Sequence, residues 1–190
     1  GPPKFTKRLR KLIKRADILV VAPLVPWKSI DYIIELVRAT SDDAVSVLCP
    51  QGYFRDIQPD GSIQPRTFSE HSSILSLFDL IILSREDTPN AVKAASSWIQ
   101  GSSETDIIVT EAEKGAKIIL PRANGTQEYR QVGTTAIAPE DVRDSVGCGD
   151  FFAMATAIAY WGNGGNIDAA VAEGNRAAGE KLAGSFAAIA

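Results

Sequence analysis

Short apolar runs rich in β-branched residues punctuate this chain: "ADILVVAP" from Ala16, "AVSVLCP" from Ala44, "LIILS" from Leu80, "DIIVT" from Asp106 and "AKIILP" from Ala116. Each is too short to cross a membrane, and each is apolar almost without interruption, which is the pattern of a strand buried on both faces. Segments with helical spacing lie between them. "SIDYIIELVRAT" sets Ile30, Ile33, Ile34 and Val37 on one face behind Ser29, which can cap it. "NAVKAASSWIQG" reads as a helix stopped by Gly101. Strands alternating with helices predict an α/β fold: a mostly parallel sheet with helices on both faces.

Some segments depart from that rhythm. Residues 106–120 read as strand, turn, strand, an antiparallel exception. "QGYFRDIQPDGSIQPRT" carries a Pro-Asp-Gly turn and predicts a loop or hairpin. "SILSLFDLIILS" joins a short helix to a strand, and "QEYRQVGTTAIAP" predicts one or two more strands. Two helices close the chain, from about Gly149 to Trp161 and from Ile167 to about Ala183, parted by "GNGGN". Residues 1–15 form a basic amphipathic helix or arm, with Phe5, Leu9, Leu12 and Ile13 at helical spacing among lysines and arginines. A solvated face is the simpler reading, and a patch for phosphate-rich ligands the sharper one. Residues 16–190 then make a single α/β domain.

The totals narrow the function. A net charge of -3 argues against a general affinity for nucleic acid. No run has membrane-spanning length and no signal peptide is visible, so no membrane partner is expected. With 2 cysteines outside any metal-like pattern, a reduced, cytoplasmic setting is expected. A Ser-His-Asp triad would have to use His71, the 1 histidine, which reads better as a loop surface residue.

"DSVGCGDFF", from Asp144 to Phe152, gathers glycines and acids where a buried helix begins. A helix N-terminus exposes unpaired N–H groups at the positive end of its dipole. Glycines let the backbone press against a bound anion. Gly147, Cys148 and Gly149 would therefore cradle an anion. Asp150 would repel phosphate, so its sense there is as a general base that takes the proton of an attacking hydroxyl. The plain alternative is a glycine turn with Asp144 or Ser145 as a helix cap. For Cys148 two readings stand side by side: a thiolate favoured by the dipole, or a small filler turned into the core.

The same stretch resembles the second signature of the PfkB, or ribokinase-like, carbohydrate kinases, whose core is Asp-Thr-x-Gly-Ala-Gly-Asp-x-Phe. Asp144, Gly147, Gly149, Asp150 and Phe152 match, while Ser145 and Cys148 are small replacements. "IIVTEAEKGAKII" resembles the family's Thr-x-Gly-x-x-Gly strand and turn; Thr110 and Gly115 match, and Ala112 replaces the first glycine. "LIILSREDTPN" resembles the strand and loop bearing Asn-x-x-Glu, with Ser84 and Asp87 in those places and Glu86 beside them. "VLCPQGYFRD" is similar to its Pro-Gln-Gly loop.

The resemblance implies a ribokinase-like fold and an ATP-dependent kinase that transfers a phosphoryl group to a hydroxyl of a sugar, polyol or nucleoside, with ATP and Mg2+ as cofactors. It implies that Asp150 is the catalytic base and that the backbone of Gly147, Cys148 and Gly149 is the anion hole. Thr110 and Gly115 would contact ATP, Glu86 and Asp87 would hold magnesium through water, and Asn175 would lie on the adenine side unless it is a solvated helix residue. A homodimer is compatible with it. Family members are considerably longer. Their N-terminal half, with a sugar site and a small β lid, has no counterpart here, so the chain reads as a fragment, as a sequence with segments left out, or as a short relative. The alternative function is a non-catalytic, kinase-like module that binds nucleotide or protein. Trp98 and Trp161 read as core or sheet-edge packing, and Arg55 as a surface arginine rather than a contact to substrate or phosphate.

Overall fold

A computed structural model describes residues 4–27, 30–99 and 104–185. Ser29 and Gly101, read above as a helix cap and a helix stop, lie outside them. In chain order the elements are α1 (Lys7–Ile13), β1 (Ile18–Val21), α2 (Ile30–Arg38), β2 (Val45–Leu48), β3 (Arg55–Ile57), β4 (Ile63–Pro65), α3 (His71–Ile74), β5 (Leu80–Ser84), α4 (Ala91–Trp98), β6 (Asp106–Thr110), β7 (Ala116–Pro121), β8 (Gln127–Val132), α5 (Cys148–Gly162) and α6 (Ile167–Leu182). A 3-10 turn, Pro50–Phe54, links β2 to β3.

The apolar runs assemble into a 6-stranded sheet in the order β1-β2-β5-β6-β7-β8. β1, β2, β5 and β6 run parallel. β7 turns back on β6, and β8 on β7. Successive residues of each strand feed opposite cores, as the pleat requires. Leu48, Ile81, Leu83, Ile107, Val109 and Ile119 join one core with Ile33 and Leu36 of α2 and Ala91 and Ala95 of α4. Val47, Leu80, Ile82, Ile108, Ile118 and Leu120 join the other with Phe152, Ala153 and Ala157 of α5 and Val171 of α6. Burying each such side chain contributes about 1.5–3 kcal/mol, so covering both faces stabilises the central strands.

The Pro-Asp-Gly stretch forms an antiparallel hairpin, with Arg55 opposite Pro65 and Ile57 opposite Ile63. The segment after β7 yields a single strand, β8, and then irregular chain from Gly133. α4 ends at Trp98 with Ile99 as its cap, short of the expected stop at Gly101. α1 docks on α2: Ile13 is buried in the core, Phe5 meets Tyr32 edge to face at 5.8 Å, and Arg10 pairs with Glu35.

Two side-chain expectations change. Trp161 is 48% exposed on α5, so it is not core packing; only Trp98 is, among Phe54 and Phe68. His71 opens α3 rather than a loop and stacks on Trp98 at 5.7 Å.

Candidate active site

All parallel strands end at one edge of the sheet, and there the sequence places its polar residues. Such an edge, outside the carboxyl ends of the strands, is where open α/β sheets bind ligands. Ser84 ends β5 and Thr110 ends β6, paired with each other in register. Gly115 precedes β7, which runs the opposite way, so it reaches the same edge. α5 begins there too. Together they enclose an open cavity of about 620 Å³. Glu86, Asp87, Thr110, Gly115, Gly147, Cys148, Gly149, Asp150 and Asn175 all line it. Residues from separate stretches of sequence thus converge on one space.

Each is held by local physics. Gly147 caps α5 with φ 82°, in the left-handed region that glycine enters without penalty. The Cys148 N–H donates to the Ser145 carbonyl at 3.3 Å, while those of Gly149 and Asp150 have no partner four residues back, at the cavity end of the helix. Asp150 is exposed within that turn. Asp144 anchors the loop before it by accepting from the Val146 N–H at 2.9 Å and from Lys181 Nζ. The bond from Lys181 holds the Asp144 carboxyl below its usual value.

Gly115 has φ 83°, and a Cβ there would come within 2.2 Å of the Val132 carbonyl, so the turn lies directly against the end of β8. Ala112 has φ 50°. This is the position at which the resembled motif carries glycine, and the backbone shows why.

The acidic pair is asymmetric. Asp87 accepts the Ser84 N–H at 2.7 Å, closing a turn. Burial raises its carboxyl above the ordinary range, against the opposing pull of the Ser84 N–H, Gln51 and Arg55. Glu86 is exposed. Among the described residues no three His, Cys, Asp or Glu side chains converge as a metal cage. Two neighbouring carboxylates fit magnesium, which keeps several waters and is completed by phosphate oxygens.

Asn175 is buried rather than solvated: its Nδ2 donates to the carbonyls of Val132 and Gly133, both at 3.2 Å, tying α6 to the end of β8 while its flank lines the cavity. Cys148 is half-buried, with Sγ 3.7 Å from the Asp144 carbonyl. Burial raises its thiol, and Cys148 lines the cavity rather than joining either core. Cys49 is pushed up to about 12 by burial and by the charges of Asp150 and Asp87.

Some lining residues went unassigned in the sequence. Gln51 belongs to the Pro-Gln-Gly loop already quoted. Thr134 and Thr135 follow β8 and had no signal beyond the end of the strand pattern.

No protein-family model matches the chain, and no curated protein matches its sequence. Solved structures do resemble it. A pyrophosphate-dependent kinase in the ribokinase family, complexed with a pyrophosphate analog and myo-inositol, aligns with TM-score 0.71 at 16% identity, over 96% of this chain and 63% of that one. Adenosine kinase from Schistosoma mansoni, in complex with 2-fluoroadenosine, aligns with TM-score 0.67 at 12% identity, over 94% and 54%. Ribokinase from Giardia lamblia aligns with TM-score 0.64 at 17% identity, over 92% and 56%. At such identities the likeness establishes the fold: the chain has a ribokinase-like architecture and spans little more than half the length of these kinases.

Proposed function

We propose that this chain is the nucleotide-side portion of a ribokinase-like kinase that moves a phosphoryl group from ATP to a hydroxyl of a sugar, polyol or nucleoside. The observation that carries the reading is the convergence of Asp150, the Gly147–Gly149 turn, Thr110, Gly115, Glu86 and Asp87 on one cavity at the carboxyl edge of the sheet. The structures it resembles include kinases for such acceptors.

Bound magnesium–ATP supplies the phosphoryl group and neutralises much of its charge. The chain's own residues do the rest. The Asp150 carboxylate takes the proton of the acceptor hydroxyl as the acceptor oxygen bonds to the γ-phosphorus and the bond from that phosphorus to the departing ADP breaks. N–H groups of the first turn of α5 face the charge that gathers on the transferring group. Glu86 and Asp87 would hold magnesium through water. Thr110 and the backbone at Gly115 steady the donor.

A screen of donor consumption against sugars, polyols and nucleosides tests this, with ATP and pyrophosphate as parallel donors because a pyrophosphate-dependent kinase is among the similar structures. Acceptor-dependent turnover is expected with at least one of them. Donor binding without any transfer would replace the reading with a non-catalytic nucleotide-binding module. The engagement of Asp87 by the Ser84 N–H and by Gln51 favours that second reading.

A further inference from the structure

α1 carries charge that the rest of the fold leaves unanswered. Residues 4–15 hold 7 of the 20 lysines and arginines and none of the 23 acids, so this stretch is +7 and the remainder of the chain -10. At about 100° per residue, Leu9 and Ile13 point one way, into the core shared with α2. Lys7, Arg8, Lys11, Lys14 and Arg15 fall within an arc of about 120° on the opposite side. All of these cations are exposed. Arg10, at the margin of the arc, pairs with Glu35. The cations of the arc have no acid within ion-pair distance among the described residues.

Helix physics opposes such a face. Lys7 and Arg8 stand in the first turn, at the positive end of the dipole, with no acid there to offset them. Lys7 and Lys11, and again Lys11 and Arg15, are like charges four residues apart, which repel. The helix is only 7 residues long and is held by its Thr6 cap and its packing on α2. A run that weakens its own helix fits a partner surface that supplies the opposite charge.

The chemistry of the arc narrows that surface. It offers ammonium and guanidinium groups and no aromatic ring, amide or hydroxyl, so it has little with which to stack on bases or tell them apart. A nucleic-acid strand would also run past a helix about 10 Å long and onto an acidic body. A bilayer is planar and meets the arc alone. Leu12 borders the arc and is 60% exposed, placed to enter the interface beneath the headgroups. No helix among the described residues is long and apolar enough to cross a membrane, so the attachment is peripheral. α1 shares its core with α2, on the face of the sheet away from α5 and α6, and lines no part of the cavity, which stays open to water.

We infer that the outward face of α1 is a docking surface for anionic phospholipid, with Lys7, Arg8, Lys11, Lys14 and Arg15 meeting the headgroups. The attachment requires neither nucleotide nor acceptor.

Sedimentation of the chain with vesicles of phosphatidylcholine and phosphatidylserine, three to one, tests it beside vesicles of phosphatidylcholine alone. Attachment is expected to the mixed vesicles only, and should weaken as salt rises. Each cation near such a surface strengthens attachment about fivefold, so Lys7→Gln with Lys11→Gln should weaken it about 30-fold. Lys93→Gln with Arg143→Gln removes the same charge from exposed positions outside α1 and should leave attachment nearly unchanged. With less like-charge repulsion, the α1 variant should melt no lower than the unaltered chain. Arg8→Gln with Arg15→Gln, on the same arc, is a second pair with the same expected loss should the first fail to fold. No attachment to mixed vesicles, or equal attachment of folded α1 variants and the unaltered chain, would overturn the inference. Displacement by inorganic phosphate beyond that by chloride at equal ionic strength would overturn it in favour of a free-anion site. Tighter binding to a single-stranded oligonucleotide than to mixed vesicles, read by fluorescence anisotropy, would overturn it in favour of a nucleic-acid face.

Discussion

At the scale of single residues, position in the backbone decides what each group can do. Asp150 occupies the first turn of a helix whose N–H groups open onto a cavity. If it is the base, Asp150→Asn should lower kcat by about a hundredfold to ten-thousandfold while donor affinity stays nearly constant, since the amide keeps the size but not the proton affinity. Turnover within a few-fold of the unaltered enzyme would take Asp150 out of the mechanism. Ala112 makes a separate case. Its φ of 50° places a Cβ in a conformation that costs an L-residue about 1–2 kcal/mol, although it is exposed and touches little. Glycine removes that cost but adds freedom to the unfolded chain worth about 0.4–1 kcal/mol. Ala112→Gly is therefore expected to stabilise the fold by about 0.5–1 kcal/mol, measured by urea unfolding. A loss of stability would mean that the turn holds alanine without strain.

At the scale of elements, the crossing of α5 and α6 depends on one missing side chain. A Cβ on Gly174 would lie 2.2 Å from Thr156 Oγ1 and 3.0 Å from the Phe152 ring. On the same helix, a Cβ on Gly179 would meet Ile137 Cδ1 at an ordinary 3.6 Å. Gly174→Ala should cost about 1–3 kcal/mol as the helices are forced apart, whereas Gly179→Ala should be neutral or gain up to about 1 kcal/mol from helix propensity. Equal melting temperatures for the two variants would contradict the packing described. Much of this layout was legible in the sequence. The apolar runs became strands because a doubly covered sheet leaves no polar alternation to confuse them, and α5 starts where Gly147 turns the chain. What escaped depended on partners distant in sequence. Asn175 read as solvated or free for adenine, yet β8 ends with the carbonyls of Val132 and Gly133 available to it. Trp161 read as packing because nothing local shows that its flank of α5 has no neighbour. Cys148 had two readings in the sequence, thiolate or filler; the folded loop brings the Asp144 carbonyl to its Sγ, and burial raises the thiol.

At the scale of the whole molecule, the uneven cover of the sheet matters most. Phe152 and Thr156 face α6, and Ala153 and Ala157 face the strands. At helical spacing, Met154, Ile158 and Trp161 then fall on the flank opposite α6, where they are 45%, 53% and 48% exposed. α5 packs on β1 and β2, so this flank adjoins the edge strand β1, whose Ile-Leu-Val-Val sequence carries no charge and whose outer edge is unpaired among the described residues. Natural edges are usually blunted by a charge, a proline or a bulge, and this one is not. An exposed apolar helix flank beside an open strand edge favours self-association of the isolated chain. Met154→Glu with Ile158→Lys puts an acid four residues before a base on that flank, an arrangement that supports the helix by about 0.2–0.5 kcal/mol. The double variant should melt at nearly the same temperature, because both side chains already face water, and should remain monodisperse in light scattering at concentrations where the unaltered chain grows. Identical scattering for the two proteins would show that the flank plays no part in association, and a sharp fall in melting temperature would show that these side chains are packed rather than exposed.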